Sequence, residues 1–419
     1  MKKDLSATPV VVTPLDNHMG VDIARSLGRR GIPVYGIDHN PRTPGRASRY
    51  AQLVVSPDWR RSRQEYIRFL LDFGHKLGRK AVLYGLSDND VLLISEAREQ
   101  LSRYYEIVMP SHCTIMKLLT KDGLHQVAQE CGIPAPMTVY PQSVDELEET
   151  ADQLEFPMII KPTESLYWHK PEIAEMLRAS ALSGHAKVVL CKDKNELLNN
   201  YRKIAAYDDR MIVQEVLPGE DSQLVYFASY TNRNSETVAY FAGRKIRIIP
   251  VGFGSASYVQ TMCDPELISL SLRLLYGVKY QGPSGIEFKY DSRDHRYKLV
   301  EVNARFGMWD GLSTKIGIDL PYVAYRDAIG QPLEPRHSYP EGVIWVDYFR
   351  DLRAFLAYHK MGKISLGEWL RSLRGDKMVA TFSWDDPSPL IFTGLNLFGQ
   401  LVRNSPPYKY GKSQRQSAG

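Results

Sequence analysis

The chain has 419 residues, 43% of them apolar and 24% charged, a balance that argues against disordered or fibrous classes and predicts two to four folded units. Its net charge of +5 is mild and comes with no dense Lys/Arg stripe, so anionic small molecules are admissible partners and nucleic acid is not expected. Cys113, Cys131, Cys191 and Cys263 are far apart without CxxC spacing, which argues against a zinc or disulfide framework and fits reduced thiols in a cytoplasmic protein.

The N-terminus, MKKDLSATPVVVTPLDNH, lacks the apolar core of a signal peptide. From there, residues 10–13, 33–37 and 81–84 read as strands, with helices over 20–30 and 91–100. That alternation predicts a parallel sheet covered by helices. The turn from Pro14 to Gly20 is not G-x-G-x-x-G, so no dinucleotide site is expected there. A helix over 111–132 ends where Gly132 and two prolines stop it. A helix over 143–154 and strands over 157–161, 188–191, 211–215, 224–230 and 237–242 follow, a pattern that predicts antiparallel sheets. Residues 389–402 (PLIFTGLNLFGQLV) are too few to span a bilayer; burial is favoured over rest on a membrane surface. Residues 404–419 read as a disordered tail, and their Gly-Lys-Ser lacks the other features of a P-loop.

SGIEFKYD (284–291) and YKLVEVN (297–303) alternate polar and apolar residues around the polar loop SRDHR, which predicts a hairpin. Glu287 and Lys289 share one strand face, as do Glu301 and Asn303. A symmetric loop pairs Tyr290 with Lys298 and brings Glu287 beside Glu301. Two carboxylates that close call for a cation between them, and an all-oxygen set suits magnesium. On the hairpin alone, solvated surface glutamates remain the alternative.

Six segments in order, TKDGLHQVAQECGIPAP, FPMIIKP, MIVQEVLPGED, GRKIRIIP, GPSGIEFKYD and LVEVNARF, resemble the ATP-grasp superfamily of carboxylate–amine ligases over roughly residues 110–330. The resemblance implies a Rossmann-like unit over 1–110, ATP-grasp lobes over 111–213 and 214–330, a C-terminal extension over 331–403 and a tail over 404–419. It implies ATP as cosubstrate with one or two Mg²⁺, manganese being an admissible substitute, on Glu287, Glu301 and Asn303. Lys121 and Lys161 match the phosphate-binding lysines, and Gln214, Glu215 and Leu217 match the segment that reads adenine. Asp221, with Glu220 as its competitor, matches the ribose-binding acid. Arg305 and Lys245 match cations that steady the transferred phosphoryl group, with Arg244 and Arg247 beside the latter. Arg247, Ser257, Trp309 and Asp310 are expectations for the acceptor pocket. The implied reaction activates a small-molecule carboxylate as an acyl phosphate and joins it to an amine. A phosphotransferase or a non-catalytic nucleotide binder are the alternatives, and a homodimer is admissible.

In place of a short Gly/Ser-rich phosphate lid, the chain carries a longer insertion over 163–187, with Trp168, His169, Lys170, a helix expected over 171–182 and a lid-like Ser183-Gly184-His185. The layout beyond residue 335 looks similar to ligases that add an amino acid to cell-wall precursors, such as D-aspartate ligases.

Overall fold

The computed structural model describes residues 7–15, 18–163, 188–207 and 209–402, with no account of the side chains of 397–402. The expected helix over 171–182, the lid-like 183–185 and the tail lie outside these residues.

The valine-rich run Val10–Thr13 (β1) is fully buried and lies at the centre of a parallel sheet with Val34–Asp38 (β2), Gln52–Val55 (β3), Ala81–Gly85 (β4) and Tyr105–Ile107 (β5), in the order β3-β2-β1-β4-β5. The expected parallel sheet is present. Strands β3 and β5 are short edges without a strong apolar run, and the sequence reading passes over both. The helix expected over 91–100 is two, Asp88–Glu96 and Arg98–Leu101, and Ser87 caps the first by accepting from Asp90 N–H.

The helix expected over 111–132 is also two, His112–Leu119 and Lys121–Glu130. Thr120 between them is extended (φ −81°, ψ 146°). Gly123 permits the tight corner, because a β carbon there would lie 2.5 Å from the carbonyl oxygen of Lys117. The break makes Lys121 the first residue of a helix.

Thr138–Val139 (β6), Met158–Pro162 (β7), Val189–Cys191 (β8) and Met211–Glu215 (β9) form an antiparallel sheet, β6-β9-β7-β8, with its own small core of Met158, Ile160, Val189, Leu197 and Met211. Leu224–Thr231 (β10), Thr237–Ile249 (β11), Ser255–Met262 (β12), Gly282–Asp291 (β13), Arg296–Asn303 (β14), Ile344–Val346 (β15) and Lys377–Val379 (β16) make a larger sheet in the order β14-β13-β10-β11-β12-β15-β16. The C-terminal extension therefore adds strands to this sheet. One continuous core joins Val11, Ile37 and Leu83 of the first sheet to Val225, Phe227 and Ile286 of the large one.

The hairpin forms as expected, but not in one register. Lys289 faces Lys298 and Tyr290 faces Tyr297, while Glu287 faces Glu301. A β-bulge at Val300 separates the two registers, so the expected Tyr290–Lys298 pair is one residue out and the Glu287–Glu301 pair is as expected. The apolar run near the C-terminus forms a helix, Ser388–Val402, that is not buried: Ile391 and Leu395 are 59% and 65% exposed. It rests by one side on the turn Pro44–Ala47, with the Arg46 guanidinium over the Phe392 ring.

Candidate active site

The cleft between the four-stranded sheet and the seven-stranded sheet is a cavity of about 580 Å³. Its smaller wall comes from β7, β9 and the helix that Lys121 begins; its larger wall comes from β10, β11, β13 and β14.

Strand alternation carries the larger wall. On β13 Ile286 and Phe288 enter the core while Glu287 and Lys289 face the cavity. On β14 Leu299 and Val302 are both buried, three residues apart, because the bulge absorbs one position. Val300 and Glu301 consequently both line the cavity, an apolar surface next to a carboxylate, and Asn303 follows.

The Lys245 ammonium lies 2.6 Å from Glu287 and is almost wholly buried, so one member of the carboxylate pair already holds a cation. Arg305, just past β14, is fixed by the first sheet's domain: its Nε donates to Asp88 Oδ1 at 2.7 Å and its Nη2 to Oδ2 at 3.2 Å. Asp88 lines the cavity and escaped the sequence reading, because its partner is 217 positions away.

On the smaller wall Lys161 Nζ donates to Gln214 Oε1 at 2.8 Å, and Gln214 Nε2 donates to Thr138 Oγ1 at 2.9 Å, which fixes the amide's orientation. Burial and then the nearby Lys121 push the Lys161 ammonium down to about 7, against the pull of Glu301. Glu215 accepts from the Met137 N–H at 2.9 Å and from Arg293 at 2.6 Å. Burial raises its pKa, but that N–H, Arg293 and Lys298 outweigh burial and hold it below the usual range. Lys289 Nζ donates to the carbonyls of Leu217 and Gly219, at 2.8 and 3.2 Å, and pins the segment that connects β9 to β10.

Asp221 and its neighbour separate cleanly. Asp221 is buried at the cavity, accepting from Gly252 N–H at 3.0 Å and from the Tyr358 hydroxyl. Glu220 is drawn off to Lys363 at 2.7 Å.

The residues expected in the acceptor pocket divide. Trp309 lines the cavity, its ring 4.5 Å from that of Tyr226. Asp310 sits behind it, accepting from Gly307 N–H at 2.6 Å, and burial pushes its carboxyl up to about 7. Arg247 and Ser257 lie outside the cavity. The Arg247 guanidinium makes two 2.8 Å bonds to Asp351, which also accepts from Ser257 at 3.0 Å and from the Trp369 indole at 2.8 Å. A bulge between Lys245 and Arg247 separates them, and a buried, closed network leaves Arg247 and Ser257 no open side. Tyr226 is a further lining residue absent from the sequence reading. Its hydroxyl is wedged between Gly285 and Gly307, where β carbons would lie 1.9 and 2.0 Å from it.

Lys121 and Lys161 line the smaller wall of this cleft and Glu287, Glu301, Asn303, Lys245 and Arg305 the larger, between the two sheets of an ATP-grasp fold. Residues 256–336 match the family model described as carbamoyl-phosphate synthase L chain, ATP binding domain. The chain is 25% identical over 256 residues to the D-aspartate ligase of Enterococcus faecium (strain Aus0004), covering 60% of this chain and 59% of that protein. It thus spans about three fifths of that relative's length. Among solved structures, it is similar to the L-amino acid ligase from Bacillus licheniformis (TM-score 0.56, 15% identity, 80% of this chain and 76% of the other). It is also similar to the biotin carboxylase domain of Hydrogenobacter thermophilus 2-oxoglutarate carboxylase, solved with MgADP and bicarbonate (TM-score 0.60, 14% identity, 79% and 71%).

Proposed function

We propose that the chain is an ATP-dependent ligase that activates a small-molecule carboxylate as an acyl phosphate and joins it to an amine, releasing ADP and phosphate. The observation that carries this reading is the convergence, in one cleft, of two lysines on one wall with Glu287, Glu301, Asn303, Lys245 and Arg305 on the other. Among the described residues no histidine or cysteine lines that cleft, and an acyl phosphate needs no enzyme nucleophile, because it is already activated.

In this reading Gln214, Glu215 and Leu217 meet the adenine, and Asp221 accepts from the ribose hydroxyls. Lys121 and Lys161 follow the polyphosphate. Glu287, Glu301 and the Asn303 amide oxygen form a hard-oxygen set that would hold magnesium, or manganese in its place. Such an ion would supply positive charge against the phosphate oxygens. Arg305 and Lys245 stand where negative charge builds as the phosphoryl group moves to the carboxylate. Trp309 closes the acceptor end against water, with Asp310 bracing the loop behind it. In this reading the units are a Rossmann-like domain (1–110), two ATP-grasp lobes (111–213 and 214–330), a C-terminal extension (331–403) and a tail (404–419).

The test is Mg-dependent release of ADP and phosphate across panels of carboxylates and amines, read beside nucleotide binding. Glu301→Gln is expected to lower turnover at least about a hundredfold while leaving metal-free ADP binding within about threefold. Amine-independent ADP formation with a stable phosphorylated product would replace the ligase reading with a phosphotransferase.

A further inference from the structure

The C-terminal extension has an outer face that its own packing does not explain. The inner side of helix Tyr348–Lys360 is filled: Asp351, Ala354, Phe355 and Tyr358 are buried, and Phe355 stacks on Trp369 of helix Leu366–Ser372 with centroids 4.6 Å apart. On the other side Phe349, Leu352 and Leu356, spaced i, i+3, i+7, are exposed, and the second helix exposes Leu366 and Leu370. Leu356 and Leu370 are each more than half exposed, where a satisfied core leucine would be covered.

Charge selects the occupant. Residues 348–379 carry seven Lys/Arg (350, 353, 360, 363, 371, 374 and 377), of which Lys363 pairs with Glu220, against three acids. Those acids are engaged: Asp351 is buried on Arg247, Asp376 pairs with Lys315 at 2.7 Å, and Glu368 closes a capping box with Ser365. Arg353 and Lys360 follow the apolar residues along the same helix face, at i+4 and i+11 from Phe349, and both are exposed. A second copy docked about a two-fold axis would press like charge on like. A surface of anionic headgroups over hydrocarbon would take the leucines in and the cations at their rim.

We propose that this face docks the chain on an anionic lipid bilayer, with both helices lying in the plane of the membrane. Among the described residues no helix is long and apolar enough to cross one. A separate element points the same way. Helix Ser388–Val402 exposes Ile391 and Leu395, and residues 388–419 contain Arg403, Lys409, Lys412 and Arg415 with no Asp or Glu. The proposal does not depend on the ligase reading, since none of these residues lines the cleft.

The test is sedimentation of the full chain with vesicles of phosphatidylcholine alone, or with about one third phosphatidylglycerol. Binding is expected to the anionic vesicles, at least about tenfold weaker to neutral ones, and reduced by raising salt from about 0.05 to about 0.5 M. Leu352→Glu with Leu356→Glu is expected to lower it at least about tenfold while ADP binding is kept. Arg353→Gln with Lys360→Gln, a pair unable to disturb the fold through the core, is expected to lower it on anionic vesicles alone. Equal binding to both vesicles, binding to neither, or a loss confined to Ile391→Glu with Leu395→Glu overturns the proposal. So does a dimer in sedimentation equilibrium that the leucine pair dissolves, which would give the face to a second copy.

Discussion

Nucleotide binding should take up a proton, and the donor of that signal is Lys161. In the empty cleft burial and Lys121 bring its pKa from the ordinary 10.5 to about 7, so at pH 8 the amine is about one tenth protonated. A polyphosphate beside it favours the ammonium and restores a pKa near its ordinary range. The difference is about 0.9 proton bound per nucleotide at pH 8, where the terminal phosphate no longer titrates. The assay is ADP binding by calorimetry in buffers of different ionisation enthalpy, whose slope counts protons. Lys161→Met should abolish the uptake. Lys121→Met should shrink it, because removing a like charge lets Lys161 hold its proton in the empty cleft. The same shift has a stability counterpart of fixed sign. The unfolded chain binds the extra proton between about pH 7 and pH 10.5, so the empty protein should gain stability as pH rises through that window. No uptake at pH 8, or uptake unchanged in Lys161→Met, would refute the reasoning.

Gly307→Ala places a β carbon 2.0 Å from the Tyr226 hydroxyl; a loss of about 1–3 kcal/mol and reduced turnover are expected in denaturation and kinetic assays, with Gly307→Ala/Tyr226→Phe partly restored. Asp351→Asn should cost about 3–5 kcal/mol by urea denaturation, because it leaves the Arg247 guanidinium buried without its counter-charge. Arg247→Met with Asp351→Leu should cost clearly less than Asp351→Asn alone. In nucleotide titrations Asp221→Asn should weaken ADP binding about tenfold and Glu220→Gln should leave it unchanged, as the first lies in the cleft and the second pairs outward.

The carboxylate pair was legible because a strand's two-residue period records which side chains share a face. The bulge beneath it was not, since one added residue at Val300 leaves both halves of the alternation looking regular. The order of segments along the chain was enough to bring Lys121, Lys161 and Gln214 to one cleft. Arg247 was drawn toward the site by nearness to Lys245 and Ser257 by its place after that motif, while the partner that removes them, Asp351, lies 104 and 94 residues further on. Asp88 gave no signal for the same reason of distance. The run at 389–402 shows a different limit: an apolar pattern records that a segment avoids water, not which surface covers it.

The bond between Arg305 and Asp88 makes two parts of the chain answer for one charge. In the proposed reading Arg305 serves the nucleotide, yet its guanidinium is aimed by Asp88 at the start of a helix that follows the first sheet's β4. The arrangement works as an interlock. Should that domain loosen, the remainder would still present its lysines and carboxylates to ATP, but with the arginine swung out of line. Exchanging the domain for another could alter which acid is accepted only if the newcomer offered a carboxylate at that spot, which narrows how such chains can recombine and stay active.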